Sequence, residues 1–293
     1  MALRAVPLQG LSEIAGVTVD GVAFGVFLAL LGVGITLVFG LAEVLNLAIG
    51  TFAVIGGIAA SVLAAGGLHP VLAGLAGVLL VGGLGVVVDL GLLTLVYRSE
   101  GEERILVGIF TTLGLTILLE GVLFNTYPDR YSLQLGLEPI TRLGIQLTPS
   151  ALVRIGISAA VLAALFLFLQ RTFLGRATRT VFQDEVGALL VGVEPRRIRS
   201  LVFVLSSLVA GVAGVLFVAS SPVRVVDGFQ FTTFGLIVSI VGGVRSVRGA
   251  IAAGLFLGLV LQFASFYIGS YQAQIVLFLT AVVAIVYNPE VLA

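Results

Sequence analysis

The chain has 293 residues, 59% hydrophobic and only 10% charged, with 15 basic and 15 acidic side chains in balance. A soluble domain carries about 25% charged residues, so the composition excludes an ordinary water-soluble globule and points to a polytopic membrane protein. Every basic residue is Arg, Cys is absent and His69 is the single His, which excludes a disulfide framework, a thiolate or His-cluster metal site, a P-loop and a Schiff-base enzyme.

Residues 1–20 lack a signal-peptide pattern, because Pro7, Glu13 and Asp20 interrupt any apolar core. They read as mature chain with a short interfacial helix. A membrane span needs about 20 mostly apolar residues. Spans are expected at 22–41, 47–66, 71–97, 105–124, 151–170 and 201–221, then a short segment at 229–244, then spans at 249–269 and 272–288. The expected fold class is all-α, a polytopic membrane protein with about 8–9 transmembrane helices, forming a single transmembrane domain over residues 1–293. The 38 glycines suit close helix approach in lipid, and Gly21/Gly25 and Gly254/Gly258 have the spacing of small-residue contact faces. His69, before Pro70, reads as an ordinary loop residue.

Residues 171–199 hold nine charges, six Arg and three acidic, in a chain of net zero. Arg concentrates in cytoplasmic loops, so this loop is expected to face the cytoplasm, with residues 98–104, Arg245, Arg248 and the C-terminus. The loop 125–150 carries Asp129, Arg130, Glu138 and Arg142, sums to zero and is expected outside. Nine crossings put the N-terminus outside, whereas a re-entrant 229–244 would change the parity of the later spans. Residues 40–51 and 242–250 each interrupt an apolar run and precede a Gly-rich span. This similarity of hydropathy suggests an internal repeat, and such breaks often line a transporter's substrate path.

Four groups carry candidate chemistry. In the charged loop, 173–183 reads as a continuation of the preceding helix. Asp184 is placed to N-cap a short helix, 185–191, with Gly192 ending it and Pro195 in the first turn of the next. Val186, Leu189 and Leu190 share one face of that helix. It is either a docking helix for a cytoplasmic partner or a topology-setting basic loop lying on anionic headgroups. The second group is Glu43 and Asn46, between two closely spaced spans. Either the turn is in water and Glu43 is a plain loop acid, or the break lies in the bilayer and Asn46 and Thr51 face a polar solute. The third group is Asp89 and Glu120. Asp89, two turns before Tyr97, either pairs with an Arg at the cytoplasmic edge or is protonated. Glu120 is near enough to the interface to be solvated. A relay through either acid would make a proton-coupled secondary transporter. The fourth group comprises Thr111, Thr112 and Thr116, with Thr232, Thr233 and Ser239. These hydroxyls either bond carbonyls of their own helices or, at Thr112 and Ser239, line a path.

In the charged loop the order Gly175-Arg176-Ala177, Arg179, Asp184, Ala188, Leu189-Leu190-Val191-Gly192-Val193, then Ala210-Gly211-Val212-Ala213-Gly214, resembles the membrane subunits of bacterial ABC importers. It most resembles the Liv-type permeases of branched-chain amino-acid uptake. Gly40-Leu41 through Asn46-Leu47-Ala48 and Gly50 is similar to that family's Gly-x-x-x-x-x-Asn-Phe-Ala-x-Gly step. The run from Gly242 to Ala250 is similar to its Gly-Gly-x-Gly-Ser-x-x-Gly-Ala. The matches run from about residue 21 to 285. The chain departs from the family at Tyr97-Arg98-Ser99-Glu100, where Tyr-Arg-Pro-Leu-Arg is usual. Other departures are Leu93 for a Glu, Phe234 for a polar residue and Arg245-Ser246 for Gly-Ser.

The resemblance implies a permease, a transport subunit and not an enzyme. Residues 171–199 would be its cytoplasmic coupling loop, in which Gly175, Arg176, Arg179, Asp184, Glu185, Ala188, Leu189, Leu190 and Gly192 fit a groove on an ATPase. Candidate path residues are Asn46, Gly50, Thr51, Thr112, Ser239, Gly242 and Gly243. The implied partners are two ABC ATPase subunits that bind ATP and Mg, a second permease chain of the same or a sister kind, and an extracytoplasmic solute-binding protein. The setting is the lipid bilayer of the cytoplasmic (inner) membrane, crossed many times. No cofactor or metal in this chain and no nucleic-acid partner are expected. The solute would be small and polar, a branched-chain or related amino acid. Urea or amides, nucleosides and sugars are the alternatives.

Overall fold

The computed structural model describes residues 8–42, 44–97, 99, 101–136, 140–142 and 145–287. Residues 1–7, Glu43, Arg98, Glu100, Glu138 and Asn288 lie outside the described residues, as do the side chains of Arg142 and Glu185. Helix α1 covers Leu8–Ala42, α2 Ile49–Ala65 and α3 Pro70–Val88. α3 continues through a π-helical turn, Asp89–Leu93, into α4, Thr94–Val96. α5 is Gly101–Thr126, and a small antiparallel hairpin comes next, β1 Ile140–Arg142 and β2 Ile145–Leu147, with Thr141 opposite Gln146. The rest is helical: α6 Pro149–Arg171, α7 Phe173–Gln183, α8 Glu185–Leu190, α9 Pro195–Val218, α10 Asp227–Gly242, α11 Val247–Ile268 and α12 Ser270–Tyr287.

Among the described residues six helices are long and apolar enough to cross a bilayer, and α2, α10 and α12 are apolar but shorter. This is the all-α polytopic architecture expected. Lipid offers no hydrogen bonds, so backbone groups must be satisfied within helices. Pro70, Pro149 and Pro195 open α3, α6 and α9, where a missing N–H costs nothing.

α1 and α2 run through the centre of the bundle, with Gly25 to Val38 of α1 buried throughout. Ile49 to Ile58 are buried without interruption, enclosed by α1, α3, α9 and α10. The faces of α3, α5 and α12 that point away from the bundle carry large apolar side chains, such as Leu79, Phe110 and Phe278. Small residues set the closest approaches. The two glycine pairs noted in the sequence meet on one seam, Gly25 against the backbone of Gly254 and Leu255, and Gly258 against Gly25 and Gly21. On the far side of α1, Gly214 of α9 lies on the Ala53 carbonyl of α2, and Gly56 lies on Gly211.

One expectation is corrected. Among the described residues no separate interfacial helix precedes the first span, because α1 runs unbroken from Leu8 to Ala42. Glu13 and Asp20 are exposed, so they do not stop the helix. Of the two readings left open for 229–244, the crossing one fits the structure better. α10 begins with Gly228 beside Glu120, near the last turns of α5, and ends at Gly242 against the first turn of α11. There the α10–α11 turn shares a cavity with Gln170 and Arg179 of the charged loop. α10 therefore crosses the bundle, giving nine crossings among the described residues.

Candidate functional site

Between α1 and α2 the chain leaves the helix and climbs along α5 as non-helical backbone. Val44 lies against Gly108, Leu45 and Leu47 meet Thr112, Leu47 also meets Thr116, and Thr51 meets Glu120. These α5 positions recur every four residues along one face, so the eight residues from Val44 to Thr51 span about 18 Å of helix. Unwound backbone at this depth has to be bonded by protein. The Leu47 N–H donates to Thr112 Oγ1 at 3.1 Å, and Thr112 Oγ1 donates to the Leu45 carbonyl at 2.9 Å or to Gly108 of its own helix at 2.8 Å. Thr116 Oγ1 reaches the Leu47 carbonyl at 3.2 Å. From α10, Thr232 Oγ1 accepts from the Gly50 N–H and reaches the Leu47 carbonyl, both at 3.0 Å.

Asn46 is 1% exposed. Its Oδ1 accepts from the Ala48 N–H at 3.0 Å, and its buried Nδ2 has no hydrogen-bond partner among the described residues. Thr51 Oγ1 donates to Glu120 Oε1 at 3.3 Å. Gly50 is where α2 touches α10: a Cβ there would run into the Gly228 carbonyl and Thr232.

The structure therefore gathers Asn46, Gly50, Thr51 and Thr112, with Thr116, Thr232 and Glu120 as their partners. Glu120 is half-buried and bonded, not simply solvated. Ser239, Gly242 and Gly243 lie elsewhere. Ser239 Oγ pairs with Thr36 Oγ1 of α1 at 2.8 Å, Gly242 packs on Gly249 and Ala250, and Gly243, at φ 93°, turns the chain into α11. The reading of the hydroxyls as own-helix caps holds for Thr233, which bonds Phe229. At Thr112, Thr116 and Thr232 it is incomplete, since each also holds the break. Asp89 is buried and, among the described residues, takes its hydrogen bond from Tyr97 Oη at 3.3 Å. The Arg199 guanidinium lies 5.8 Å from the Tyr97 ring centre.

The charged loop forms two helices in place of a prolonged α6. Thr172 Oγ1 donates to Phe168 and accepts from the Gly175 N–H, so it ends α6 and caps α7. Gly175 presses on Leu169, where a side chain would not fit, and Arg179 reaches the Gln170 carbonyl. Arg176 and Arg179 are exposed while Ala177 and Val181 are buried, so α7 is strongly two-faced. α8 then runs Glu185–Leu190, with Asp184 at its N-cap position but no capping bond from its side chain. At its C-terminus Val193 N–H bonds Ala188 O and Gly192 N–H bonds Leu189 O, with Gly192 at φ 80°. This is a Schellman turn, which a residue with a side chain closes only under strain. Ala188 is fully buried and anchors the helix, while Val186, Leu189, Leu190 and Val191 stand 67%, 57%, 84% and 70% exposed. They share this end of the bundle with exposed charges such as the Arg197–Glu194 pair. This is the uncovered apolar face the sequence spacing anticipates.

Among the described residues no three His, Cys, Asp or Glu side chains converge to hold a metal ion. The sequence reading missed Thr36, and it missed Arg154, a buried Arg inside α6. Arg154 was detectable, because an ionisable residue inside a span is a functional candidate by default.

The family described as branched-chain amino acid transport system, permease component, matches residues 17–287. The chain is 24% identical over 286 residues to the high-affinity branched-chain amino acid transport system permease protein LivH of Escherichia coli (strain K12), covering 92% of each chain. It is 25% identical over 288 residues to the corresponding permease protein BraD of Pseudomonas aeruginosa, again with 92% of each chain covered. The permease protein LivM of Escherichia coli (strain K12) is 33% identical over 121 residues, 39% of this chain and 28% of that one. The nine-crossing helical bundle and a match over nearly its whole length make this chain a member of the branched-chain amino acid transport system permease family.

Proposed function

We infer that this chain is the membrane-spanning subunit of an ABC importer in the cytoplasmic membrane, moving branched-chain or related amino acids with energy from ATP hydrolysis in partner subunits. The observation that carries the reading is α8, a short helix locked by Ala188 and Gly192 with Val186, Leu189 and Leu190 exposed among charges. Headgroups could cover such a face as well, but the match to the permease family favours a protein partner. An ATPase groove is the partner consistent with the family. The remaining residues of the loop, Gly175, Arg176, Arg179, Asp184 and Glu185, would set how that groove is approached. The buried break at Asn46, Gly50, Thr51 and Thr112 supports a polar element beside the solute's route. Likeness to both LivH and LivM supports pairing with a second permease chain of the same or a sister kind, and an extracytoplasmic binding protein would deliver the solute.

The test is reconstitution with the ATPases and binding protein encoded beside it. The comparison is ATP-dependent leucine uptake in wild type and in Leu189→Arg/Leu190→Arg. The double variant is expected to insert normally, lose ATPase association and lose uptake. A variant that still assembles and transports overturns the docking role. A wild-type complex that hydrolyses ATP but ignores leucine overturns the solute class.

A further inference from the structure

At the end of the bundle away from α7 and α8, a cavity of about 280 Å³ opens between α1, α6, the α9–α10 link and α11. Two charged side chains face it, Arg154 from α6 and Asp20 from α1. Arg154 is only 6% exposed. Its Nε donates to Ser220 Oγ at 3.2 Å, and its guanidinium lies 5.6 Å from the centre of the Phe217 ring. Among the described residues its two terminal nitrogens have no hydrogen-bond partner, and no direct ion pair closes to Asp20. The two charges nevertheless act on each other across the cavity.

Phe24 is the one ring that faces the cavity, whose lining is otherwise mainly polar. Behind it, Phe24 lies 5.7 Å from Phe27 and meets Phe234 edge-on at 6.1 Å, and Phe27, Phe217 and Phe231 form a buried triangle with ring centres 4.7–5.0 Å apart. This cluster holds Phe24 in place and does not itself line the cavity.

A buried Arg within a span is costly and needs a function to hold it there. Its planar fork matches a carboxylate bidentately, and here the fork is left open toward a polar space that the Asp20 carboxylate also lines. Opposite charges that share a cavity without closing an ion pair complement a zwitterion. A neutral solute such as urea, a sugar or a nucleoside can hydrogen-bond to both groups but compensates neither charge. We propose that this cavity is a binding site for a zwitterionic α-amino acid. The α-carboxylate binds Arg154, the α-ammonium binds Asp20, and the side chain rests against Phe24. The proposal rests on the amino-acid reading above and names the site that enforces it.

The test pairs two measurements. One is ATP-driven leucine uptake by the reconstituted wild-type complex. The other is binding of radiolabelled leucine to the full chain in lipid nanodiscs, with competition by leucinamide, which lacks the carboxylate, and 4-methylpentanoate, which lacks the ammonium. Each analogue is expected to compete roughly tenfold to a hundredfold less well than leucine, the value of one charge-assisted contact. Arg154→Gln should bring leucine down to the level of leucinamide, with partial rescue by Arg154→Lys. Asp20→Asn should erase the preference for leucine over 4-methylpentanoate. Should Arg154→Gln fail to fold, Asp20→Asn still decides, because Asp20 is exposed and packs little. If wild type takes up leucine while both variants keep wild-type binding and discrimination, or while the full chain binds no leucine, the site is wrong and amino-acid transport stands. If the wild-type complex takes up no leucine, the amino-acid reading fails and the proposed ligand class falls with it.

Discussion

Thr112→Val removes one hydroxyl from the break between α1 and α2 and keeps the side-chain shape. The Leu47 N–H then loses its acceptor, 3.1 Å away, and the Leu45 carbonyl loses a donor at 2.9 Å. Two magnitudes compete. Polar contacts between membrane helices average about 0.6 kcal/mol, because separated helices find other partners. A buried backbone N–H left unpaired costs about 1–3 kcal/mol. The second governs here, since Leu47 lies in non-helical backbone and has no turn of its own to fall back on. We expect a loss of about 1–2 kcal/mol, a factor of roughly 5–30 in the unfolding equilibrium. Thr112→Ser keeps the hydroxyl and should restore most of it. Thr232→Val should cost a similar amount, because Thr232 serves Gly50 and Leu47. Since both threonines hold Leu47, the double variant should depart from additivity by about 0.5 kcal/mol or more. The assay is reversible unfolding in mixed micelles by denaturing detergent, with all four variants on one protocol. A wild-type midpoint for Thr112→Val, or a Ser variant as unstable as the Val variant, would refute the assignment of Thr112 as the clamp on the break.

The packing sets two further outcomes. Gly214→Ala drives a methyl into the Ala53 carbonyl and should destabilise by about 1–3 kcal/mol. Gly83→Ala, where a Cβ meets open space, should leave the same thermal midpoint unchanged. Gly192→Ala places a side chain at φ 80° and should cost about 1–2 kcal/mol locally. This should appear as faster hydrogen exchange at the Val193 amide, which bonds Ala188, and as weaker ATPase association without loss of the bundle.

Much of the architecture is legible in one dimension because lipid demands it. The spans are long apolar runs, and the starts of three are marked by Pro70, Pro149 and Pro195. The break at Asn46 is visible as a polar residue where nothing polar is needed. What holds it is not visible. Thr112 and Thr232 are far away in sequence, and in helices that are apolar on every face no periodicity singles out the side that faces the break. Gly242 and Gly243 share the hydropathy pattern of the first break, yet they serve a packed turn, and Ser239 pairs with Thr36 inside the bundle, because a pattern of polarity does not encode depth. The end of α6 is legible in hindsight. A Thr that can cap, with a Gly three residues on and Arg176 and Arg179 spaced three apart, marks a new surface helix more than a continuation. For Asp89 the sequence leaves open an Arg at the cytoplasmic edge or a bound proton, and it does not single out Tyr97. The π-helical turn at Asp89–Leu93 absorbs one extra residue, so the two-turn neighbour is eight positions on, and that neighbour is Tyr97.

The pair of Asp20 and Arg154 shows the same limit more sharply. Taken alone, Asp20 is an acid in the lead-in to a span, and Arg154 is a base near the start of one. Each has an ordinary explanation in the interface between lipid and water. Only the fold sets them on one cavity, together with Thr148, Ser150, Ser220, Ser221 and Gln262. Phe24 of α1 faces the same space and is backed by Phe27 of α1, Phe217 of α9 and Phe231 and Phe234 of α10. The rings fix the helices that carry the two charges, so the charges keep their places without closing on each other. A solute that carries both an anion and a cation compensates both side chains at once, whereas a solute with one charge or none leaves at least one of them uncompensated.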